Sequence, residues 1–450
     1  MAAPLYDALK RYAAGRPARF HMPGHKGKFL PVPELAGLAP LDVTELSPTG
    51  NLYTAGEPFD QAQQLWAEAF GFEQCQFLTG GSTMGIHTAL ALCCSPGEQV
   101  LVDRNCHRAV FNALALLDLE PVYLERPWLG GENLIGPVLP ESVEKMLNRH
   151  PEIKTVCITS PTYAGVLSDI SAISPIVYAR GGKLLVDGAH GAHLPFLGIN
   201  PFAGADVLVV SAHKTLPAMG QTALLFVQGF DPERVRQMAS VYGSSSPSYP
   251  MLASLDAARQ WMLEEGSEAY LRTARQVARL RERFPALRDS GSLHLDPCRF
   301  TLRVKDGPAF SGALERRGIY PEMEDGGHVI FICTAQDGRE DLDRLERALE
   351  ELRSGMGACP PLPAPPLPER VISLRSALFS DGKLCPLEAC QGKIAACQIA
   401  PYPPGVPVVA PGERIGKKEL AYLQEIGYNI LSQVRVISEE RYGAFSPGRK

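Results

Sequence analysis

A lysine that follows an apolar run is the first residue of this chain whose position suggests chemistry. Lys214 lies in segment 211–221, directly after the run 206–210, which has the composition of a buried parallel strand entering a loop. Open α/β sheets bind ligands beyond the carboxyl ends of their strands, where Ser211 and His213 would also lie. Lysine forms Schiff bases with aldehyde cofactors, although an ordinary surface lysine would show the same local pattern.

A carboxylate ends another strand-like run before this lysine. Asp187 closes the run 183–187 and begins the segment Asp-Gly-Ala-His-Gly-Ala-His. Burying a carboxylate at a strand end is costly unless a cation pairs with it. The protonated nitrogen of a pyridine ring is such a cation, and that proton makes the ring an electron sink. Asp187 and Lys214 together therefore predict pyridoxal phosphate (PLP), more strongly than either residue does alone.

A glycine-rich turn leads into a helix at 79–85, with the sequence Thr-Gly-Gly-Ser-Thr-Met-Gly. The glycines allow a tight turn, and Ser82 and Thr83 then offer hydroxyls and amides at a helix N-terminus. This arrangement predicts a site for a phosphate group. Helix capping is the alternative role of the same two residues.

Two further strand-like runs end in polar residues. His107 follows the run 99–103, and Thr162 follows the run 155–159. An imidazole at the first position could stack on a flat aromatic cofactor, or it could be a structural histidine. Thr162 could hydrogen-bond a phenolic oxygen, although Ser-Pro-Thr is also a common turn sequence.

Alternating strands and helices organise the middle of the chain. This alternation predicts an α/β domain with a mostly parallel sheet that is covered on both faces. The seven predicted strands are 76–79, 99–103, 121–124, 155–159, 183–187, 206–211 and 223–227, and the first helices are 4–14, 59–70, 82–94, 106–117 and 140–148.

The later part of the chain has a different pattern and predicts further domains. Helices at 250–263, 268–284, 310–317 and 339–352, with strands at 293–304 and 328–333, predict a small α+β domain. A proline-rich stretch then reads as a stiff linker. The predicted division is an N-terminal segment 1–58, a large domain 59–265, a small domain 266–356, a linker 357–370 and a C-terminal α+β domain 371–450.

Composition and charge exclude several classes of protein. Of the 450 residues, 45% are hydrophobic and 21% are charged, and the net charge of -5 gives no basic surface for nucleic acid or membrane. The N-terminus lacks the regions of a signal peptide, so we expect a cytoplasmic protein with no membrane partner. The eleven cysteines are not spaced as metal ligands, and we expect reduced thiols and no metal site.

These motifs, in this order, resemble those of the Orn/Lys/Arg (group III) decarboxylases, in particular their short bacterial forms. The resemblance covers most of the chain. It is carried by His21-Met-Pro-Gly-His-Lys-Gly27, Gly80-Gly-Ser-Thr83, Asp103-Arg-Asn-Cys-His107, Ser160-Pro-Thr-Tyr163, the Asp187–His193 segment, Ser211-Ala-His-Lys-Thr-Leu-Pro217 and Pro401-Tyr-Pro-Pro-Gly405.

The resemblance implies a fold, an activity and roles for single residues. The fold would be the type I PLP-dependent (aspartate aminotransferase-like) fold, in a homodimer or larger homo-oligomer whose subunits share active sites. The activity would be PLP-dependent decarboxylation of arginine, lysine or ornithine, as in polyamine biosynthesis. Lys214 would carry PLP, Asp187 would hold its ring nitrogen, His107 would stack on the ring and Thr162 would lie near the ring hydroxyl. The phosphate would be bound by Ser82, Thr83, Ser211 and His213, and His190 would complete the cofactor-binding set.

Some positions depart from the family pattern, which leaves alternatives open. Gly188 and Cys397 stand where relatives usually carry acidic residues, and such residues would anchor a basic substrate. The remaining acidic candidates are Glu322, Glu324 and Asp325. One alternative is another PLP-dependent reaction, such as that of an aminotransferase using Arg299 or Arg375 for the substrate carboxylate, or of a lyase. Another is a catalytically altered relative with a regulatory role.

Overall fold

The computed structural model describes residues 2–358, 361–401, 405–428 and 433–437. Its helices are α1 (Pro4–Ala14), α2 (Phe59–Phe70), α3 (Gly81–Cys93), α4 (Arg108–Leu116), α5 (Pro140–Arg149), α6 (Ile170–Tyr178), α7 (Ala212–Thr215), α8 (Pro232–Tyr242), α9 (Tyr249–Trp261), α10 (Ser267–Arg283), α11 (Gly307–Glu315), α12 (Arg339–Glu351), α13 (Leu374–Leu378) and α14 (Lys417–Glu425).

The strands are β1 (Gln74–Leu78), β2 (Gln99–Asp103), β3 (Glu120–Leu124), β4 (Trp128–Leu129), β5 (Leu134–Ile135), β6 (Thr155–Thr159), β7 (Val166–Leu167), β8 (Lys183–Asp187), β9 (Val207–Val210), β10 (Ala223–Val227), β11 (His294–Leu295), β12 (Arg299–Arg303), β13 (Met323–Glu324), β14 (His328–Ile332), β15 (Lys383–Pro386) and β16 (Gln433–Val436). None of the helices among the described residues is both long and apolar enough to cross a membrane.

The central sheet has seven strands in the order β1-β10-β9-β8-β6-β2-β3. Each of the seven predicted runs is one of these strands, so the prediction of an α/β fold with a seven-stranded sheet is confirmed. The pairs β2–β3, β2–β6 and β8–β9 are parallel. β10 is antiparallel to both β1 and β9. The sheet is therefore mixed but mostly parallel, as expected.

The chain forms two compact units. The first contains residues 1–93, 183–275 and 334–337, and the second contains residues 94–182, 276–333 and 338–450. The predicted division into five segments stays a prediction, and residues 359–360 of the predicted linker lie outside the described residues.

In the first unit, α3 lies very close to strands β1 and β9. A Cβ atom at Gly85 would be 2.6 Å from Cγ1 of Val209 and 2.8 Å from Cδ1 of Leu78. Only glycine therefore allows this close approach of helix and sheet. The close approach fixes the start of α3 relative to the end of β9, where Lys214 follows.

The N-terminal helix α1 is held by a carboxylate from α9. The amides of Leu5 and Tyr6 donate to Oδ2 of Asp256 at 2.8 and 3.2 Å, and α1 has no side-chain cap of its own. Two otherwise unsatisfied N–H groups of the first turn are thereby satisfied. Burial raises the pKa of Asp256 to about 6, although these amides and Arg259 act in the opposite direction.

In the second unit, a three-stranded antiparallel sheet, β12-β14-β13, carries α11 and α12 and forms the core of the predicted small α+β domain. The predicted strand 293–304 is wrong in one respect, because it is divided into β11 and β12. Asp296 and Pro297 lie at the division, where Oδ1 of Asp296 accepts a hydrogen bond from the amide of Cys298 at 2.8 Å. An Asp-Pro pair favours such a turn over a continuous strand.

Candidate active site

Lys214 lies at the carboxyl end of β9, as the sequence predicts. The segment after β9 is the one-turn helix α7 and not the loop that was expected, and Lys214 is half-buried within it. The hydroxyl of Tyr270 donates to the carbonyl oxygen of Thr215, which fixes the end of this turn. The amine Nζ of Lys214 lies 3.0 Å from the ring nitrogen Nε2 of His190.

Asp187 and His190 lie at the carboxyl end of the neighbouring strand, β8. β8 and β9 are parallel, with Asp187 opposite Val209, so both strands end at the same edge of the sheet. Asp187 is only 3% exposed, and its Oδ1 accepts a hydrogen bond from the amide of Ala189 at 3.2 Å. The local sequence alone did not single out the contact of His190 with Lys214, since it depends on the pairing of β8 with β9.

Gly188 occupies a position with no space for a side chain. A Cβ atom there would be 2.7 Å from Cδ1 of Leu208 and 2.9 Å from Cε1 of Phe202. The Gly188 amide donates to the carbonyl oxygen of Val209 at 2.8 Å, which holds the backbone in place. The acidic residue that the family resemblance implies at this position would therefore clash with Leu208 and Phe202.

The predicted phosphate site brings two hydroxyls together at the start of α3. Gly81 has a φ of +69°, and its amide donates to the carbonyl oxygen of Gln221 at 2.8 Å. The hydroxyl of Ser211, which is fully buried, donates to that of Ser82 at 2.9 Å. Amides and hydroxyls at the N-terminus of a helix suit an anion. Thr83 lies on the same first turn and is exposed.

His213 contacts the backbone that precedes β10. Its Nδ1 lies 2.9 Å from the carbonyl oxygen of Thr222, and because a carbonyl only accepts, Nδ1 carries the proton. The role of His213 in phosphate binding stays a prediction.

Two predicted cofactor residues belong to the second unit and have structural contacts there. His107 is the N-cap of α4, and its Nδ1 accepts a hydrogen bond from the amide of Ala109 at 3.2 Å. The hydroxyl oxygen of Thr162 accepts one from the amide of Val166 at 3.0 Å. The structural roles considered as alternatives for both residues are therefore present. Ring stacking by His107 and contact of Thr162 with the ring hydroxyl stay predictions.

The acidic candidates of segment 321–325 differ in their surroundings. Glu322 accepts a hydrogen bond from the hydroxyl of Tyr163, the residue that follows Thr162. Asp325 instead accepts hydrogen bonds from the amides of Gly327 and His328, at 2.8 and 2.7 Å, and so caps its own turn. Glu324 is exposed on β13. Glu322 is thus the acidic residue that is directly linked to a predicted cofactor segment.

The two arginines considered for an aminotransferase both contact other groups of the protein. Arg299 is 1% exposed, with Oδ2 of Asp296 at 3.9 Å. Nη1 of Arg375 donates to the carbonyl oxygens of Ala115 and Leu116, at 3.3 and 2.9 Å. These contacts give no support to either residue as an anchor for a substrate carboxylate.

Cys397, the other departure from the family pattern, is half-buried. Its Sγ donates to the carbonyl oxygen of Arg435 at 3.6 Å, and burial raises the pKa of the thiol. The ten cysteines within the described ranges are all free thiols. Of the neighbouring motif 401–405, residues 402–404 lie outside the described residues.

The donors gathered in the first unit fit PLP. Lys214 supplies a primary amine for an aldehyde, and Asp187 is a buried carboxylate suited to a protonated ring nitrogen. Ser82, Ser211 and the first amides of α3 suit a phosphate group.

Comparisons with known proteins give a consistent result. The chain matches the family described as "Orn/Lys/Arg decarboxylase, major domain" over residues 3–299, and "Orn/Lys/Arg decarboxylase, C-terminal domain" over residues 374–429. It is 31% identical to YaaO of Bacillus subtilis, an uncharacterized protein, over 95% of this chain and 94% of the relative. It is 28% identical to arginine decarboxylase of Bacillus subtilis, over 97% of this chain and 98% of the relative.

Among solved structures, the lysine decarboxylase LdcF of Francisella novicida superposes with a TM-score of 0.80. It is 20% identical, and the match covers 97% of this chain and 81% of that one. At this identity the likeness shows the fold, and it confirms the architecture that was expected from the sequence.

Proposed function

The chain belongs to the Orn/Lys/Arg decarboxylase family, and on that premise we propose that it removes the carboxyl group of a basic amino acid as carbon dioxide. The substrate is arginine, lysine or ornithine, and the product is the corresponding amine. The cofactor is PLP. The protein acts in the cytoplasm, in polyamine formation, as a homodimer or larger homo-oligomer.

The observation that carries this proposal is the arrangement of Lys214, His190 and Asp187 at the carboxyl ends of β8 and β9. An amine and an imidazole follow two neighbouring parallel strands, one of which ends in a buried carboxylate. Ligands of open α/β sheets bind at this edge. The hydroxyls of Ser82 and Ser211 add an anion site to the same unit.

When bound, PLP supplies an aldehyde for the substrate amine and an electron-withdrawing ring that makes loss of the carboxylate possible. Lys214 would hold the cofactor's aldehyde through Nζ. Asp187 would keep a proton on the ring nitrogen, and because the carboxylate is buried its charge would be little screened by water. His190, with Nε2 at hydrogen-bonding distance from Nζ of Lys214, would exchange a proton with that amine.

The basic tail of the substrate needs an acidic partner, and the acidic residues considered for it are Glu322, Glu324 and Asp325. The packing of Leu208 and Phe202 leaves no room for an acid at position 188, and position 397 carries a thiol. Glu322 is exposed, and the hydroxyl of Tyr163 orients its carboxylate. A carboxylate held in this way is suited to an ammonium or guanidinium group.

Exposed aromatic residues in the N-terminal segment support the proposed homo-oligomer. Phe20 is 95% exposed and Phe29 is 72% exposed, and Met22 between them is 53% exposed. Large apolar side chains exposed in one short segment are candidates for contact with another subunit. Light scattering on the purified protein at several concentrations measures its mass, and a monomer at all of them would contradict this part.

The decisive experiment is a panel of amino acids offered to the PLP-loaded protein, with products identified by mass spectrometry. The proposal predicts an amine from arginine, lysine or ornithine, with no keto acid. A keto acid product would indicate an aminotransferase, and a product from a neutral or acidic amino acid alone would contradict the proposed substrate class. A protein that binds PLP but converts none of them would be the regulatory relative.

A further inference from the structure

Two thiols and a lysine lie together in the C-terminal part of the second unit. Cys385 is near the end of β15, and the short helical turn Leu387–Ala389 brings the chain back to Cys390. Nζ of Lys393 donates to Sγ of Cys385 at 3.1 Å. A positive group at this distance stabilises a thiolate, which is the reactive form of cysteine.

Each of the two thiols also contacts the backbone beside the other. Sγ of Cys385 donates to the carbonyl oxygen of Ala389 at 3.5 Å, next to Cys390. Sγ of Cys390 donates to the carbonyl oxygens of Pro386 and Cys385, at 3.1 and 3.7 Å. Both sulfur atoms therefore lie against the same turn, which makes them a candidate pair for a disulfide.

The two thiols differ in their exposure. Both belong to one apolar core with Ile399 and Val434, in which Cys385 is 6% exposed and Cys390 is fully buried. In β15, the neighbours of Cys385 on either side are exposed. Burial raises the pKa of the Cys390 thiol to about 12, which leaves Cys385 as the thiol that reacts first.

We propose that Cys385 and Cys390 form a modification site for peroxides, in which Cys385 is oxidised first, beside Lys393, and Cys390 then closes a disulfide. The sulfur of Cys385 attacks one oxygen of hydrogen peroxide, the O–O bond breaks, and a sulfenic acid and one water are formed. The sulfur of Cys390 then attacks the sulfenic sulfur, and the S–O bond breaks. The thiol proton of Cys390 combines with the departing hydroxide to form a second water. Two thiols are oxidised to one disulfide and one peroxide is reduced to two waters.

The printed sequence offers a direct readout. Trypsin cleavage after Lys383 and Lys393 gives one peptide, 384–393, that contains both cysteines, while Cys397 falls on the next peptide. The full-length, PLP-loaded protein is treated with hydrogen peroxide, its remaining thiols are alkylated, and the peptides are weighed. The expected peptide has lost two hydrogens and carries no alkyl group, and a reductant restores both alkylation sites.

Matched variants separate the parts of the proposal. Cys385→Ser and Cys390→Ser abolish the disulfide, whereas Cys397→Ser, in the same part of the chain, leaves it unchanged. Lys393→Gln slows its formation, and Lys393→Arg, which keeps the charge, does not; both rates are measured from alkylation of the intact protein. The proposal is overturned if wild-type 384–393 stays fully alkylated while Cys397 is oxidised, or if Cys385 proceeds to sulfinic acid beside an alkylated Cys390. Equal rates for Lys393→Gln and wild type would overturn the role of Lys393.

Discussion

Nε2 of His190 lies 3.0 Å from Nζ of Lys214, although the two residues follow different strands of the central sheet. The contact exists because β8 and β9 are parallel neighbours that end at the same edge. An imidazole at hydrogen-bonding distance can take a proton from an amine or return it near neutral pH. We therefore propose that His190 exchanges the proton of Lys214.

Replacing His190 with glutamine tests this role, because an amide can hydrogen-bond to Lys214 but cannot exchange its proton. We expect kcat to fall about 100-fold. The visible absorbance of bound PLP should persist, since Lys214 is still present. The measurement is kcat as a function of pH. The profile of the variant should lack the rise or fall that ionisation of the imidazole causes in wild type. An unchanged pH profile would assign His190 a structural role only.

The packing around Gly188 predicts that an acidic residue is not tolerated at this position. Gly188→Asp forces a side chain against Leu208 and Phe202, and we expect a loss of about 3 kcal/mol in the free energy of unfolding. Gly220→Asp is the matched control, because a Cβ atom there meets nothing within 4 Å. The control should change stability by less than about 0.5 kcal/mol. Urea unfolding gives both values, and equal losses would show that the packing argument is wrong.

The carboxyl group of Asp256 makes the stability of the first unit dependent on pH. Its pKa is about 6 in the folded chain and about 3.8 when unfolded, so the folded state binds the proton more tightly. This contribution is fully present below pH 3.8 and is lost as the pH rises through 6, by up to about 3 kcal/mol.

The variant Asp256→Asn has no proton to bind at this position and should lack that pH-dependent term. The measurement is the difference in the free energy of unfolding between wild type and variant at several pH values from 4 to 7. Wild type should lose stability relative to the variant as the pH rises. A constant difference across this range would contradict the raised pKa.

A role of Glu322 as the anchor for the substrate tail predicts a change in KM. Glu322→Gln removes the charge beside Tyr163 but keeps the shape, and KM for the basic substrate should rise roughly tenfold, the effect of a charge-assisted hydrogen bond worth about 1.5 kcal/mol. kcat should change little, because the tail does not react. Glu324→Gln, an exposed acid two residues away, is the control and should leave KM unchanged. Equal effects of the two variants would exclude a specific role of Glu322.

Local sequence patterns were sufficient for the strands of the central sheet and for the residues at their ends. Buried parallel strands are continuous apolar runs, and β2, β6, β8 and β10 have the predicted bounds. The direction of β10 could not be predicted, because it depends on pairing between distant segments. The break in the predicted strand 293–304 could have been recognised from Pro297, which disfavours a continuous strand. The apolar residues on either side of it suggested a single strand instead.

The contacts of the candidate site were less predictable than its residues. Lys214, Asp187 and Ser82 follow from motifs, but the hydrogen bonds of Lys214 with His190 and of Ser211 with Ser82 require the sheet to be assembled. The capping role of His107 was missed, because the predicted helix 106–117 began two residues too early and included it. The packing at Gly188 was not, because Phe202 and Leu208 come from other segments.

Release of carbon dioxide from a carboxyl-labelled basic amino acid, by wild type and Lys214→Ala side by side, decides whether the protein is a PLP-dependent decarboxylase. We expect labelled carbon dioxide and an equal amount of amine from arginine, lysine or ornithine with the PLP-loaded wild type, and none with the variant. Release by Lys214→Ala at the wild-type rate would contradict the role of the lysine. No release from any of the three by wild type with bound PLP would contradict the proposed activity itself.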